Sequence, residues 1–272
     1  MTTPLTIALA QTPGGPNPED NLKTARRLTT EAVDRGARLI VFPEMFMAIP
    51  PKTGFLTDLA EPSLGDGPFV SGLAQLASER GIHLVAGVWE RIPSNDRVHN
   101  TAVWIGPDGR LRTAYRKLHL FDALSVRESK RMAPGDDPPE VLAVGDFTAG
   151  LAICYDLRFP EHFRYLSRAG ADLMIVPAAW YAGPLKEAHW LTLLRARAIE
   201  NTAYVAGAGL TGAPFTGRSA VFDPFGVQLA DGGDGAGLVM ATLDPDRVRS
   251  VREVLPALAH RREEIFKGSD EG

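Results

Sequence analysis

Residues 150–161 read GLAICYDLRFPE and hold Cys154, the only cysteine in a chain of 272 residues. The apolar run from Thr148 to Ile153 predicts a strand. Phe159-Pro160-Glu161 then predicts the start of a helix, because proline has no N–H to leave unpaired in the first helical turn. The sulfur is thereby placed at a strand-to-helix turn. Unpaired backbone N–H groups and the positive end of a helix stabilise a thiolate there. Taken alone, a lone cysteine reads by default as a small buried hydrophobe.

The same strand-then-helix order recurs on both sides of this stretch. Upstream, Leu5–Gln11 predicts a strand and Pro18 to Arg35 an amphipathic helix, with Leu22, Ala25, Leu28 and Ala32 or Val33 at helical spacing. Gly36 closes that helix, as glycine does at C′. Arg38–Phe42 is a short buried strand, Pro68–Glu79 a helix ended by Gly81, and Ile82–Glu90 a strand. Between them Met45–Asp58, with two consecutive prolines and no period, reads as a loop, and a lid is one use for it. Asn100–Ile105 and Leu111–Leu118, joined by Pro107-Asp108-Gly109, carry a hairpin signal. His119–Pro139 is a long charged loop. Downstream, Val141–Val144 pairs with the strand before Cys154, and a helix spans Arg158–Arg168. A strand at Leu173–Ala178 and a long helix at Leu185–Glu200 follow. Tyr204–Leu210, Ser219–Phe222 and Gly237–Leu243 are strands, and Pro245 to about Val254 is helical. Helices alternating with strands cover sheet faces, and the hairpins make the sheets mixed, so the class is α/β. With no linker or short-period repeat, residues 1–259 read as one domain and 260–272 as a charged tail.

Composition removes whole classes of function. A net charge of −4 leaves no basic excess to neutralise phosphates, so nucleic acid is not an expected partner. No apolar run approaches the about 20 residues that span a bilayer, so no membrane partner is expected. The N-terminus lacks a basic region before its short apolar run and reads as a strand. One cysteine forms no internal disulfide, which suits a reducing cytoplasm. There is no H-E-x-x-H, paired-cysteine spacing or P-loop, so neither a metal nor another cofactor is expected. Gly207-Ala208-Gly209-Leu210-Thr211-Gly212 matches G-x-G-x-x-G, but Pro214 follows and the next element reads as a strand. The dinucleotide fingerprint needs a helix there.

Three further residues stand where chemistry gathers. Glu44, in VFPEM, directly follows a short hydrophobic strand, and ligand sites of α/β proteins collect at such ends. Its bland reading is a solvated loop glutamate. Lys117, in AYRKLHLF, ends the hairpin strand; it either protects an edge or holds an oxyanion. Glu128, in VRESKRMAPGD, is indistinguishable alone from a surface glutamate. The six histidines are scattered, and His119 and His189, near these segments, read as hydrogen-bonded structural residues.

The pieces combine in order: FPE at 42–44, YRKLHLF at 115–121, RES at 127–129, PGD at 134–136 and CYDLRFPE at 154–161. AHW at 188–190, RARAIEN at 195–201 and GRSAVFDPFG at 217–226 follow. Together they resemble the nitrilase superfamily of carbon–nitrogen hydrolases, most closely its Nit-like amidase branch, over nearly the whole chain. The resemblance implies an α-β-β-α sandwich of two mixed sheets. It places a Glu–Lys–Cys triad on Glu44, Lys117 and Cys154, with an additional active-site glutamate at Glu128. It also implies hydrolysis of a small linear amide through a cysteine thioester with release of ammonia, as in an ω-amidase or a deaminated-glutathione amidase. The same machinery serves N-carbamoyl amino acids and nitriles, and a scaffold that binds without catalysis is the non-enzymatic alternative. Tyr155 would supply an oxyanion N–H. Arg158 suits a substrate carboxylate, or a salt bridge with Glu161 or Asp156. Trp180 and Tyr181 either line the pocket or pack as aromatics. Pairing of two copies through Arg158–Arg168 and Leu185–Glu200, as a homodimer or higher oligomer, is a further implication.

Overall fold

The computed structural model describes residues 2–51 and 54–266. Its elements run, in order, β1 (Leu5–Gln11), α1 (Pro18–Asp34), β2 (Leu39–Val41), α2 (Pro68–Arg80), β3 (His83–Arg91), β4 (Val98–Ile105) and β5 (Leu111–Arg116). The second half follows with β6 (Val141–Val144), β7 (Phe147–Leu151), α3 (Pro160–Arg168), β8 (Leu173–Ala178), α4 (Lys186–Asn201), β9 (Tyr204–Gly209), β10 (Ala220–Phe222) and β11 (Gln228–Asp231). It closes with β12 (Gly237–Leu243), α5 (Pro245–Val254) and α6 (Glu263–Phe266).

Two six-stranded mixed sheets result, ordered β12-β1-β2-β3-β4-β5 and β11-β10-β9-β8-β7-β6. The period of 2 along each strand explains the layering. In the first sheet Ile7, Leu9, Leu39, Val41 and Val85 point one way and share a core cluster with Leu151, Ile175 and Val205 of the second sheet. The alternate residues Ala8, Ala10, Ile40 and Leu84 point the other way, against Ala25 and Leu28 of α1 and Leu73 and Leu76 of α2. On the second sheet a Cβ added at Gly150 would lie 2.4 Å from Leu166 of α3, and one at Gly207 2.6 Å from Trp190 of α4. Helices thus seat directly on both outer faces, and the expected α-β-β-α sandwich is the observed one.

The sheets share one plan. Read from β12 to β5, successive pairs are antiparallel, parallel, parallel, antiparallel and antiparallel. Read from β6 to β11, the sequence of pairings is the same. Each half carries two parallel crossovers through helices, α1 and α2 in one, α3 and α4 in the other. The carboxyl ends of those parallel strands are where such sheets hold ligands.

Element boundaries match the sequence reading to within a few residues, with instructive exceptions. The strand before Cys154 stops at Leu151, and a 3₁₀ turn, Cys154–Arg158, intervenes before α3 begins at Pro160. The cysteine is therefore not at the helix N-terminus that the proline suggested. β11, half polar and alternating in burial, is an edge strand that hydropathy does not single out. The stretch after Glu44 is no free lid at its start: Met45, Phe46, Met47 and Ala48 are buried. Residues 52 and 53 of that loop and 267–272 of the charged tail lie outside the described residues, and Glu263–Phe266 within the tail is helical. After Gly207–Gly212 comes β10, not a helix, so the dinucleotide fingerprint lacks its anion-binding end.

The Glu44 turn packs against β3 at a glycine. Gly87 N–H donates to Pro43 O at 3.1 Å, and Met47 N–H donates to Gly87 O at 3.0 Å. A Cβ on Gly87 would stand 2.7 Å from Glu44 Cα and 2.6 Å from Met45 N. Those are backbone atoms that cannot rotate aside. Gly87→Ala is expected to destabilise the protein by about 1–3 kcal/mol through overpacking, read as a lowered denaturant midpoint. A variant as stable as the parent would show that the Glu44 turn yields freely.

Candidate functional site

Four chain segments deliver the site. Glu44 follows β2, and Cys154 follows β7. Lys117 directly follows β5 and prolongs its ladder, its N–H donating to Asn100 O at 2.9 Å. Glu128 opens the 3₁₀ turn Glu128–Lys130 in the long loop. The turns after Glu44 and around Cys154 are tight: Met45 has φ +57° and Cys154 φ +44°. Left-handed backbone in a non-glycine residue is unfavourable by roughly 1–3 kcal/mol and persists only where the surroundings hold it.

The side chains meet in the interior. Lys117 Nζ donates to Glu44 Oε1 at 2.9 Å and to Glu128 Oε1 and Oε2 at 3.1 and 2.9 Å. Lys117 and Glu44 are each 1% exposed. Glu44 is fixed from two more sides, by Asn100 Nδ2 at 2.7 Å on Oε1 and the Ala179 N–H at 2.7 Å on Oε2. Glu128 Oε2 also accepts the Phe121 N–H at 2.7 Å. Buried charges survive only when paired and hydrogen-bonded, and here every charged group is.

Burial opposes the Lys117 charge, but Glu44 and then Glu128 outweigh it and hold its pKa well above the usual lysine range. Glu128 is pushed up, first by burial and then, against the pull of Lys117, by Glu44. Cys154 is pushed well above the usual thiol range by burial and by the Glu44 carboxylate, with Lys117 pulling the other way. These surroundings favour the thiol over the thiolate. The sequence suggested a thiolate favoured by a helix end; the helix starts too late, and two carboxylates face the sulfur instead.

Asp156 braces the Cys154 turn, and the sequence reading treated it only as a salt-bridge partner for Arg158. It is fully buried. Its Oδ2 accepts the Ile153 N–H and the Tyr115 hydroxyl, both at 2.8 Å. Its Oδ1 accepts the His119 N–H at 3.1 Å and lies 2.7 Å from His119 Nδ1. One carboxylate thus ties the Cys154 turn to the segment that carries Lys117. Burial alone would raise its pKa, but the His119 hydrogen bond, His162 and the Ile153 N–H outweigh burial and hold it below the usual aspartate range. The available signal was an acid inside an otherwise apolar run entering a turn. His119, Asp156 and His162 place ligand-type atoms within 4.8 Å of one another. Both Asp156 oxygens already accept two donors each, and His162 Nε2 faces Leu151 O at 2.9 Å. The trio is a hydrogen-bonded brace, with the His119 ring stacked on Phe159 at 3.7 Å.

Cys154 and Glu128 line a small pocket. Tyr155 and Phe121 form one wall, with ring centroids 4.9 Å apart. Trp180 and Tyr181 form another, so the structure brings both into the pocket lining. Trp180 is also a packing aromatic, 5.3 Å from Trp190. Arg158 does not line the pocket; its guanidinium sits 4.9 Å from the Trp180 ring centroid, with Nη2 3.4 Å from His189 Nδ1. Lys186, the first residue of α4, which the sequence reading did not single out, does line it.

The carbon–nitrogen hydrolase family model matches residues 6–253. Among curated relatives, the deaminated glutathione amidase of Synechocystis sp. is 38% identical, with 95% of this chain and 98% of that protein covered. Among solved structures, the NitFhit protein of C. elegans superposes with a TM-score of 0.90 at 33% identity, over 97% of this chain. The match spans 66% of the NitFhit chain's own length. An amidase from Nesterenkonia sp. superposes with a TM-score of 0.81 at 28% identity, covering 96% of this chain and 95% of that one. In one of its mutants the acetamide moiety of fluoroacetamide is covalently added at the active-site cysteine.

Asp156→Asn puts an amide donor against the donors that the carboxylate now accepts. An unsatisfied buried group is unfavourable by about 1–3 kcal/mol, and urea unfolding at neutral pH is expected to show that loss. The pH sign follows from linkage. Because the folded-state pKa of Asp156 is depressed, its stabilisation is complete above the unfolded aspartate pKa and is lost as pH falls through the folded value. The stability gap between parent and variant is therefore expected to narrow on acidification below the ordinary aspartate range. A gap that is constant with pH would show that Asp156 is not ionised in the folded protein.

Proposed function

The chain belongs to the carbon–nitrogen hydrolase family, and from that premise we propose that it hydrolyses a short linear amide with Cys154 as nucleophile. The observation that carries the reading is the buried Lys117 ammonium clamped between the Glu44 and Glu128 carboxylates, in the same site as the only cysteine. The covalent acetamide adduct on the cysteine of the Nesterenkonia amidase supports the nucleophile's role. The name of the Synechocystis relative supports an amide of the deaminated-glutathione or ω-amide type.

In the proposed cycle Glu44 accepts the thiol proton as the sulfur attacks the carbonyl carbon. The carbonyl oxygen becomes an oxyanion, held by Lys117 and the backbone N–H of Tyr155. Glu44 passes its proton to the nitrogen, the C–N bond breaks, and ammonia leaves a thioester on Cys154. Glu44 then takes a proton from water, whose oxygen attacks the thioester carbon. The sulfur departs, recovers the proton, and a carboxylic acid is released. Glu128 holds Lys117 in place and faces the amide nitrogen. Asn100 and the Ala179 N–H keep Glu44 aimed.

The family match supports reading residues 1–259 as one hydrolase domain and 260–272 as its tail. Exposed Tyr165 on α3 and Ile199 on α4 support pairing of two copies through those helices. Among the described residues no helix is long and apolar enough to cross a membrane. The single cysteine supports a cytoplasmic setting.

The test is ammonia release from a panel of short amides, carbamoyl amino acids and nitriles. Cys154→Ala is expected to abolish turnover. Glu44→Gln is expected to lose about 10²–10⁴-fold in kcat, the range for a positioned acid–base group. Lys117→Met is expected to lose about 10²–10³-fold, as an oxyanion donor does. Residual turnover in Cys154→Ala equal to the parent's, or a folded parent that turns over no member of the panel, would overturn the assignment.

A further inference from the structure

Glu128 owes its place to a loop that packs little of itself. Between Phe121 and Glu128 the chain makes an excursion whose ends meet. Glu128 N–H donates to Phe121 O at 3.4 Å, and Phe121 N–H donates to Glu128 Oε2 at 2.7 Å. Between those ends Asp122, Leu124, Ser125 and Arg127 are exposed. Leu124 is 74% exposed and takes φ +49°, and Ser125 follows at φ +68°. Left-handed backbone at two consecutive residues other than glycine is unfavourable and persists only where the surroundings hold it. Exposed side chains supply little packing for that purpose.

A polar clip closes the base instead. Asp122 Oδ1 accepts the Ser129 N–H at 3.1 Å, and its Oδ2 accepts the Ser129 hydroxyl in a short hydrogen bond. One carboxylate thus takes both donors of the residue that follows Glu128. Those bonds, the hydroxyl first, hold the Asp122 pKa below the usual aspartate range, so the clip is charged at neutral pH. The chain beyond Glu128 is fixed separately. Val98 N–H donates to Arg131 O at 3.1 Å and Ala133 N–H to Val98 O at 2.9 Å, which joins it to β4. Glu128 therefore sits between an anchor on β4 and the Asp122 clip, with Lys117 Nζ at 3.1 and 2.9 Å from its oxygens. Neither Asp122 nor Ser129 lines the pocket around Cys154.

Building on the amide-hydrolase reading above, we propose that Asp122 is a positioning residue for Glu128, acting through Ser129 to hold that glutamate against the Lys117 ammonium. A small rotation of the 3₁₀ turn Glu128–Lys130 would carry the carboxylate off Nζ. Lys117 would then keep one anionic partner in place of two and would no longer be fixed where the oxyanion forms. Burial favours the neutral form of Glu128 and Lys117 opposes it, so the carboxylate stays charged only at close range. The surface clip thus does for Glu128 what Asn100 and the Ala179 N–H do for Glu44 in the interior.

Steady-state ammonia release from the best amide of the panel above tests this in Asp122→Ala, Asp122→Asn and Ser129→Ala. Asp122→Ala is expected to lower kcat by about 10–10²-fold, the scale on which a misplaced positioning group slows a reaction. KM is expected to stay at the parent's value, because the clip does not touch the pocket. Asp122→Asn is expected to recover most of kcat. Its carbonyl oxygen still accepts the Ser129 N–H, and its amide can donate to the Ser129 hydroxyl. Ser129→Ala keeps one of the two bonds and is expected to fall between. Losses in the double variant Asp122→Ala/Ser129→Ala should not add, because both changes remove one contact. An Asp122→Ala enzyme with the parent's kcat overturns the proposal, even where its denaturant midpoint drops. A loss that Asp122→Asn does not recover, or losses that add, also overturn it. Should Asp122→Ala not fold, Ser129→Ala with the parent's kcat is the overturning result. In each of these cases the amide-hydrolase reading stands, because the parent still cleaves amides. A parent that releases no ammonia, and whose Cys154 fluoroacetamide does not label in folded protein, is a different failure. It overturns the hydrolase reading and takes this proposal with it.

Discussion

A lysine ammonium with no access to water, gripped by two carboxylates, sets the terms for the rest of this structure. Removing an ammonium from water is unfavourable by several kcal/mol even after relaxation, and only close partners offset it. Lys117 has Glu44 and Glu128 at 2.9 Å. Burial and the two carboxylates favour the protonated form of the neighbouring sulfur, with Lys117 pulling the other way. Two backbone features around the site help to hold these groups where they lie. The Gly87 contact lets Glu44 approach β3, and the Ala179 N–H reaches Glu44 from the end of β8.

The fold supplies that convergence by repeating one sheet plan twice and facing the copies. Glu44 comes from the end of a parallel strand in the first sheet, and Cys154 and Ala179 from the ends of parallel strands in the second. No single sheet provides the set. Asp156 then fastens the second sheet's Cys154 turn to the first sheet's Tyr115–His119 segment. The brace and the charged cluster are thus adjacent, and both span the two halves.

Much of this was legible in the sequence, for identifiable reasons. β1, β8 and β12 fall on the expected residues because their apolar runs are bounded by clear breakers. Glu44, Lys117, Glu128 and Cys154 were singled out by their motifs, and the structure brings all four together. Their burial was not legible: a glutamate or lysine in a loop reads as solvated until its partners, distant in sequence, are known. The same blindness hid Asp156, whose partners lie 3 to 41 residues away, and Lys186, which looks like a routine helix-starting residue. The thiolate expectation failed for a local reason. A proline marks where a helix can begin, but the 3₁₀ turn of Cys154–Arg158 comes first, and no helix end reaches the sulfur.

A protonated resting sulfur is an advantage in the proposed cycle. Attack moves the thiol proton onto Glu44 as negative charge appears on the substrate oxygen. Glu44 becomes neutral at the moment the oxyanion forms, so the cluster's total charge is unchanged. Lys117 loses one anionic partner and gains another within the same cavity. A preformed thiolate would instead add a third negative charge around one ammonium before substrate arrived. In a buried site with an effective dielectric far below that of water, that difference favours coupling deprotonation to attack. The same accounting explains why Glu44 is tethered by Asn100 and Ala179. A base that must take and return a proton in each half of the cycle is most useful when its oxygens do not move.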